Sequence, residues 1–282
     1  MSPSLASRAA TSLRLRALDL RDRFDPTGPG PDPFVPPRRM QFVGVGDFAG
    51  VGDEFFGHFT ALAGLTPGTR VLDVGSGIGR IARPLVGFLG AQGSYDGFDP
   101  DPEGVRWCQH AYRDVPRFTF AHVDVFNKRY NPAGTVDPAT LRFPYDDGRF
   151  DLVVMVSVLT HLLPETLDNY LRESARVLAP GGRLCATAFL LDETSRAAIA
   201  AQATPLPFGP ERDGCAVVNP EIPEDAVAYD AGAFTARLAD AGLHEPEIHP
   251  GTWADRPSGR TFQDLVVARK GDGGAGGFPA PS

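Results

Sequence analysis

The sequence predicts a doubly wound α/β fold: a mostly parallel seven-stranded sheet with helices on both faces and an antiparallel closing strand. Three observations predict it. Short apolar runs alternate with stretches whose apolar residues recur at helical spacing, the pattern of βαβ units rather than of a sandwich or a bundle. A glycine-rich turn stands directly between the first apolar run and the stretch that follows it. One later run, Phe150 to Val156, is apolar almost without a break, as strands buried on both faces are. With 282 residues the chain has room for one large core and only a small second lobe.

Apolar residues from about Phe55 to Ala63 recur at helical spacing and stop at Gly64, and Thr66-Pro67-Gly68 then turns the chain into the first strand, Val71 to Val74. Ile78 to Leu89 reads as a helix, Ser94 to Phe98 as the second strand and Pro102 to Tyr112 as a helix. The third and fourth strands are Phe118 to Val125 and Phe150 to Val156. A helix from Leu167 to Leu178 ends at Pro180-Gly181-Gly182, and Arg183 to Phe189 is the fifth strand. A last helix, Ala231 to Ala241, precedes a closing pair, Glu247 to Pro250 and Asp264 to Arg269. Two stretches break the alternation, Asn127 to Gly148 and Thr204 to Val227. Long connections of this kind serve as lids and substrate-binding loops, or simply as surface excursions.

Proline density in residues 25 to 37 forbids regular helix, so residues 1–40 are expected to be an extension and linker. Residues 41–270 then form the folded domain, with a lid-like insertion around 192–230, and 271–282 a disordered tail. Ser2 to Leu20 superficially resembles an organelle transit peptide, and a short amphipathic helix fits it as well.

A formal net charge of −8 argues against a surface built to neutralise a phosphate backbone, so nucleic acid is not the expected partner. The early arginines, Arg8, Arg14, Arg16, Arg21, Arg23, Arg38 and Arg39, are mostly a solvated run that could still touch an anionic partner. Cys108, Cys185 and Cys215 are too scattered for a disulfide framework or a zinc site, so no metal is expected and reduced thiols in a cytoplasm fit best. No apolar run approaches the roughly 18 residues that span a bilayer, so no membrane insertion is expected. Oligomeric state stays open.

Val71-Leu72-Asp73-Val74-Gly75-Ser76-Gly77-Ile78-Gly79-Arg80 carries the chemistry. Glycines let the backbone take positive φ and approach a ligand where a β-carbon would collide. Nicotinamide and flavin folds seat a pyrophosphate with GxGxxG, whereas Gly75, Gly77 and Gly79 alternate here and the bulky Arg80 stands where the third dinucleotide glycine would be. About twenty residues on, Asp99-Pro100 ends the second strand, where a carboxylate can accept hydrogen bonds from two ribose hydroxyls. Asp99 could instead be a helix N-cap ahead of Pro102.

The glycine pattern, with Asp73 inside the strand, resembles the first motif of class I S-adenosylmethionine (SAM) dependent methyltransferases, which have a Rossmann-like fold. His122 to Phe126, Phe150 to Leu162 and Leu178 to Leu184 resemble later motifs of that family. The resemblance covers about residues 65 to 190, and the closing strands are similar to those of a bacterial small-molecule subgroup. It implies SAM as cofactor, with Gly75, Ser76, Gly77, Gly79 and Arg80 around its methionine part and Asp73 near its ammonium. Asp99 and Pro100 would hold the ribose, Asp124, Val125 and Phe126 the adenine, and Val156 and Ser157 would line the same site. The Asn127 to Pro132 segment lengthens the connection beyond a minimal core.

Methyl transfer needs alignment and exclusion of water more than catalytic side chains. A hydroxyl acceptor gains from a general base, and His161, at the carboxyl edge after the fourth strand, is the candidate. Its position is the only warrant, and a polar cap or packing residue at the start of the next connection is the plainer reading. His249, Trp253 and Tyr229 are weaker pocket candidates, His58 reads as a core or helix-surface residue, and Met40 and Phe42 could cover the cofactor or simply pack on the first helix. The expected activity is methyl transfer to a small molecule, at oxygen before nitrogen or carbon, with a sugar, glycolipid or secondary metabolite as acceptor. An inactive SAM-binding partner or sensor is the alternative, and a nicotinamide oxidoreductase is disfavoured by the glycine spacing.

Overall fold

Short apolar strands alternate with amphipathic helices through the described residues. A computed structural model describes residues 32–41, 47–128 and 131–271. The arginines before residue 32, Phe42 and the tail from 272 lie outside the described residues.

Asp47 starts the first helix, α1 (Phe48–Leu62), by accepting a hydrogen bond from Ala49 N. Strand β1 (Arg70–Val74) follows, then a short α2 (Ala82–Leu85), β2 (Ser94–Asp99), α3 (Pro102–Ala111) and β3 (Phe118–His122). Next come β4 (Phe150–Met155), α4 (Pro164–Val177), β5 (Leu178–Leu191) and α5 (Glu193–Ala200). The chain ends with β6 (Cys215–Val217), β7 (Val227–Asp230), α6 (Ala231–Asp240), β8 (Leu243–His249) and β9 (Asp264–Lys270).

Strands β3, β2, β1, β4 and β5 lie side by side in that order and are parallel. Strand β9 runs antiparallel to Arg183–Ala188 of β5, and β8 pairs with β9. The expected doubly wound sheet with its antiparallel closing strand is therefore present. Strand order reverses between β1 and β4, and in open α/β sheets ligands bind in the crevice at such a switch.

Four elements differ from expectation. Among the described residues the sheet has nine strands, not seven, because the insertion adds β6 and β7, and β7 pairs with Phe189–Leu191 where β5 outruns β9. The helix expected over Ile78 to Leu89 shrinks to one turn, since Gly79 (φ +80°) and Gly87 (φ +81°) hold backbone that no right-handed helix contains. Strand β3 ends at His122, after which the chain turns into bridges with Asn131 and Val136. The turn expected at Pro180-Gly181-Gly182 is absorbed into β5, opposite a register shift between Phe150 and Leu152 of β4.

Alternating residues divide the core. Leu72, Val74, Val153, Ala186 and Val266 face α4 and α6 with Leu167, Leu171, Phe234 and Leu238, while Val71, Leu152, Val154, Cys185 and Val267 face α1, α2 and α3 with Phe55, Phe59, Leu85 and Val105. A third cluster of Phe189, Leu191, Phe208, Ala228 and Trp253 fills the space between the end of β5 and the insertion. Among the described residues no helix is long and apolar enough to cross a membrane.

Candidate functional site at the carboxyl ends of the first and fourth strands

After Val74 the backbone reverses with Gly75 at φ +77°, Gly77 at +53° and Gly79 at +80°. At Gly75 a β-carbon would lie 2.5 Å from Val158 Cγ2, so the position is closed to side chains by space as well as by φ. Gly75 N and Ser76 N both donate to Phe98 O, at 2.9 and 3.1 Å, which ties the turn to the end of β2. From α3, the Tyr112 hydroxyl donates to Gly79 O at 3.1 Å.

Asp99 sits against this turn. Its Oδ2 accepts from Gly77 N at 2.8 Å and its Oδ1 from Asp101 N at 2.8 Å. The N-cap of α3 is Asp101, whose oxygens take Glu103 N and Gly104 N, so Asp99 is not the helix cap. Asp99 is buried, and burial pushes its carboxyl up to about 6. Pro100 O, next along, takes a hydrogen bond from His122 Nε2 at 3.2 Å.

Asp73 is 1% exposed and accepts from the Tyr95 hydroxyl at 2.6 Å. Burial pushes it up to about 7, against the pull of that hydrogen bond. Both carboxyls are raised by burial, and Asp73 and Asp99 interact across the end of the strands, an electrostatic arrangement that a cationic ligand would relieve.

Three further features fit a bound organic group. The buried Ser76 Oγ has no hydrogen-bond partner. A β-carbon on Gly77 would meet nothing within 4 Å, so space is open there. Met40 and Phe48 pack on Ile78 within the turn, and Phe34 stacks on Tyr112 at 4.7 Å, so residues 34–40 cover this side of it. Arg80 turns toward α1, its guanidinium 5.7 Å from the Phe48 ring.

The third-strand residues lie on the next strand over. Val123 N donates to Asp99 O at 3.2 Å, placing Asp124 just beyond that edge. Asp124 is held by Asn131 Nδ2 at 3.0 Å and the Thr135 hydroxyl at 2.8 Å, which hold its carboxyl below the usual range. Its oxygens therefore anchor the excursion that follows. Val125 is buried, whereas Phe126 is 41% exposed.

On the other side of the turn, Val156 and Ser157 leave β4. Ser157 takes φ +59° and is held there by Thr187, whose hydroxyl oxygen accepts Ser157 N at 2.7 Å. Gln263 Oε1 accepts from the Ser157 hydroxyl at 3.3 Å and from the Thr187 hydroxyl. His161 ends a 3₁₀ turn, Leu159–His161, and its Nδ1 lies 2.8 Å from Glu224 O in the insertion. A carbonyl only accepts, so Nδ1 carries the proton and the neutral ring has its lone pair on Nε2.

The weaker candidates fall elsewhere. Trp253 is fully buried, its Nε1 bonded to Asp264 Oδ2 at 2.8 Å, and Tyr229 is 1% exposed with its hydroxyl on Leu159 O at 2.8 Å. Both belong to the core, because each aromatic body is enclosed and each polar tip is already satisfied. His249 lines a separate cleft. On α1, His58 Nε2 stands 3.7 Å from Glu54 Oε1, away from the turn.

Tyr95, Val158, Thr187, Glu224 and Gln263 were not anticipated. Gly97 could have signalled one contact: a β-carbon there would lie 2.8 Å from Ser76 Cβ, and glycine inside a strand marks close backbone approach.

Residues 72–186 match a family of methyltransferase domains. An arsenite methyltransferase of Aquipseudomonas alcaligenes is 36% identical over 135 residues, covering 48% of this chain and 36% of that protein. A 27-O-demethylrifamycin SV methyltransferase of Amycolatopsis mediterranei is 32% identical over 194 residues, covering 66% of this chain and 58% of that protein. The chain thus spans less than two thirds of the length of either relative. The solved PH0226 protein from Pyrococcus horikoshii superposes with a TM-score of 0.53 at 14% identity, covering 81% of this chain and 93% of that one, a likeness of fold.

Proposed function

We propose that the chain is a class I SAM-dependent methyltransferase, on the match of residues 72–186 to methyltransferase domains and the likeness to its relatives, and that it methylates a hydroxyl oxygen of a small-molecule acceptor, a sugar, glycolipid or secondary metabolite. The observation that carries the cofactor half is the hydrogen bond from Gly77 N to Asp99 Oδ2, which brings a positive-φ turn and a buried carboxylate to one point. SAM, when bound, supplies an electrophilic methyl group on a sulfonium whose charge is consumed on transfer.

The turn from Gly75 to Arg80 and Asp73 would hold its amino acid part, the ionised Asp73 facing the ammonium. Asp99 and Pro100 would hold the ribose, with Asp124, Val125 and Phe126 toward the adenine. Val156 and Ser157 would line the same cofactor site, at its edge toward the acceptor. His161 would take the proton of the acceptor hydroxyl at Nε2, its tautomer fixed by Glu224 O. Residues 41–270 are the catalytic domain in this proposal, and the insertion around 192–230 acts as a lid. Lys128 Nζ, which donates to Glu221 O at 2.6 Å, joins that insertion to the excursion after β3 and supports the role.

Oxygen is favoured over other acceptors on two grounds. The relative with the longer match acts on an O-demethyl compound, as its name states. Arsenite, a soft centre, seeks thiolates, and burial pushes the Cys185 thiol up to about 12 and raises Cys108 further. Cys108 and Cys185 face one side of the core, and the half-buried Cys215 packs against the cluster on the other, so the three thiols do not meet at one site for arsenic.

Calorimetric titration with SAM, S-adenosylhomocysteine and NAD tests the cofactor half: binding of the first two and not the third is expected, and the reverse overturns it. A screen of hydroxylated acceptors with methyl-labelled SAM tests the rest, and label recovered only on carbon, nitrogen or arsenic would reject the hydroxyl.

A further inference from the structure

A cleft of about 630 Å³ lies between the start of α5 and the segment joining β8 to β9. Its polar walls are His249, Arg256 and Arg260 with Thr194, Asp255 and Ser258. None of these belongs to the cofactor side.

Arg256 is fixed in place. One end of its guanidinium donates to Asp192 Oδ2, while Asp192 Oδ1 accepts Ser195 N at the start of α5. Arg256 Nε is left buried with no hydrogen-bond partner, and so is His249 Nε2 on the same cleft. Glu247 Oε2 stands 3.8 Å from that nitrogen, outside hydrogen-bond distance. Arg260 is exposed at the rim. Buried polar atoms without partners are uncommon, and the Arg256 Nε–H, in a roomy, positively lined cleft that the His249 ring also lines, calls for an acceptor.

The acids nearby do not supply it. Asp192 is engaged by Arg256 and Ser195, and Asp255, at φ +54°, is exposed. A planar guanidinium with an unfilled N–H beside an imidazole matches a carboxylate or phosphate oxygen pair.

We propose that this cleft binds the oxyanion group, phosphate or carboxylate, of a small molecule, held by Arg256, His249 and Arg260. The segment that lines it continues to Gln263, which holds Ser157 and Thr187, so the cleft and the carboxyl end of β4 share one loop.

The test uses the full chain at constant ionic strength, titrated calorimetrically with inorganic phosphate and, separately, with citrate. Saturable single-site binding of one or both at millimolar or lower concentration is expected, and the tighter of the two names the group. Arg260→Gln and Arg256→Gln should each weaken it at least tenfold while S-adenosylhomocysteine affinity stays within twofold. If Arg256→Gln loosens α5, Arg260→Gln and His249→Gln carry the comparison. Absence of saturable binding, or binding that the variants retain in full, overturns the proposal. The S-adenosylhomocysteine titration on the same samples reports separately on the methyltransferase assignment.

Discussion

The two sides of the β1 and β4 carboxyl edge are built differently. On the β2 side, the turn, Asp73, Tyr95 and Asp99 are joined by hydrogen bonds between residues 22 apart, all inside one βαβ unit. On the β5 side, Ser157 is held by Thr187, 30 residues on, and by Gln263, 106 residues on, while His161 leans on Glu224, 63 residues away. One side is a local motif; the other is assembled from three strands and an insertion. A local unit can bind the same cofactor in many proteins, whereas a side assembled from distant segments is one that loop changes can alter, and in the proposed function it faces the acceptor.

The largest expected effect tests the local side. Asp99→Ala removes the acceptor of Gly77 N and, in the proposed role, the ribose contact, so SAM and S-adenosylhomocysteine affinity should fall about a thousandfold, near 4 kcal/mol. Calorimetry reads it directly. Affinity within threefold of wild type would mean that the turn and Asp99 are a structural joint and not a ligand cradle.

Asp73 sharpens the same side through pH. Its carboxyl is raised by burial from 3.8 to about 7 in the folded protein, so the folded state holds a proton that the unfolded chain has released. Stability from this group is complete below pH 4 and is lost as pH rises through about 7. Asp73→Asn should therefore stabilise the ligand-free protein by about 2 to 4 kcal/mol at pH 8 and by little at pH 4, while weakening cofactor binding. Denaturant melts at the two pH values check it, and an equal effect at both would break the assignment of Asp73 as a poised anion. S-adenosylhomocysteine affinity of the wild type should rise between pH 5.5 and 7.5 as Asp73 and Asp99, near 7 and 6, ionise.

This contrast also explains what the sequence made legible. The positive-φ turn at Gly75, Gly77 and Gly79 and its meeting with Asp99 could be read because backbone conformation constrains residue type at fixed local spacing. Trp253 was misread as pocket lining because its burial depends on Phe189 and Phe208 from distant segments, and its indole was already spoken for by Asp264. Strands β6 and β7 are three and four residues long, too short to show a period, and exist only because β5 outruns β9 and offers an unpaired edge. Thr187 and Gln263 look in sequence like ordinary strand and loop residues, and only their meeting at Ser157 gives them meaning.

On the distributed side, His161→Ala should lower turnover of a hydroxylated acceptor about a hundredfold with S-adenosylhomocysteine affinity unchanged, as loss of a general base does. The pH profile of the wild type should show an ascending limb that the variant lacks. A variant with full turnover would return His161 to a packing role against the insertion.

The smallest effect separates the two sides most sharply. Thr187→Val keeps the volume of a buried side chain and removes the oxygen that accepts Ser157 N, leaving that N–H unpaired beside a serine already at φ +59°. A buried donor without its acceptor costs about 1 kcal/mol or somewhat more, and the strain at Ser157 gives the backbone reason to relax toward negative φ. If cofactor affinity rests mainly on the β2 side, with Ser157 only at the edge of that site, it should move by less than threefold, whereas the acceptor KM should rise severalfold as Ser157 and Gln263 lose their common anchor. If Thr187→Val instead weakens S-adenosylhomocysteine binding as much as acceptor binding, the two halves of the edge are one mechanical unit, since a change made 30 residues from Ser157 on β5 would then be felt at Asp99 on β2.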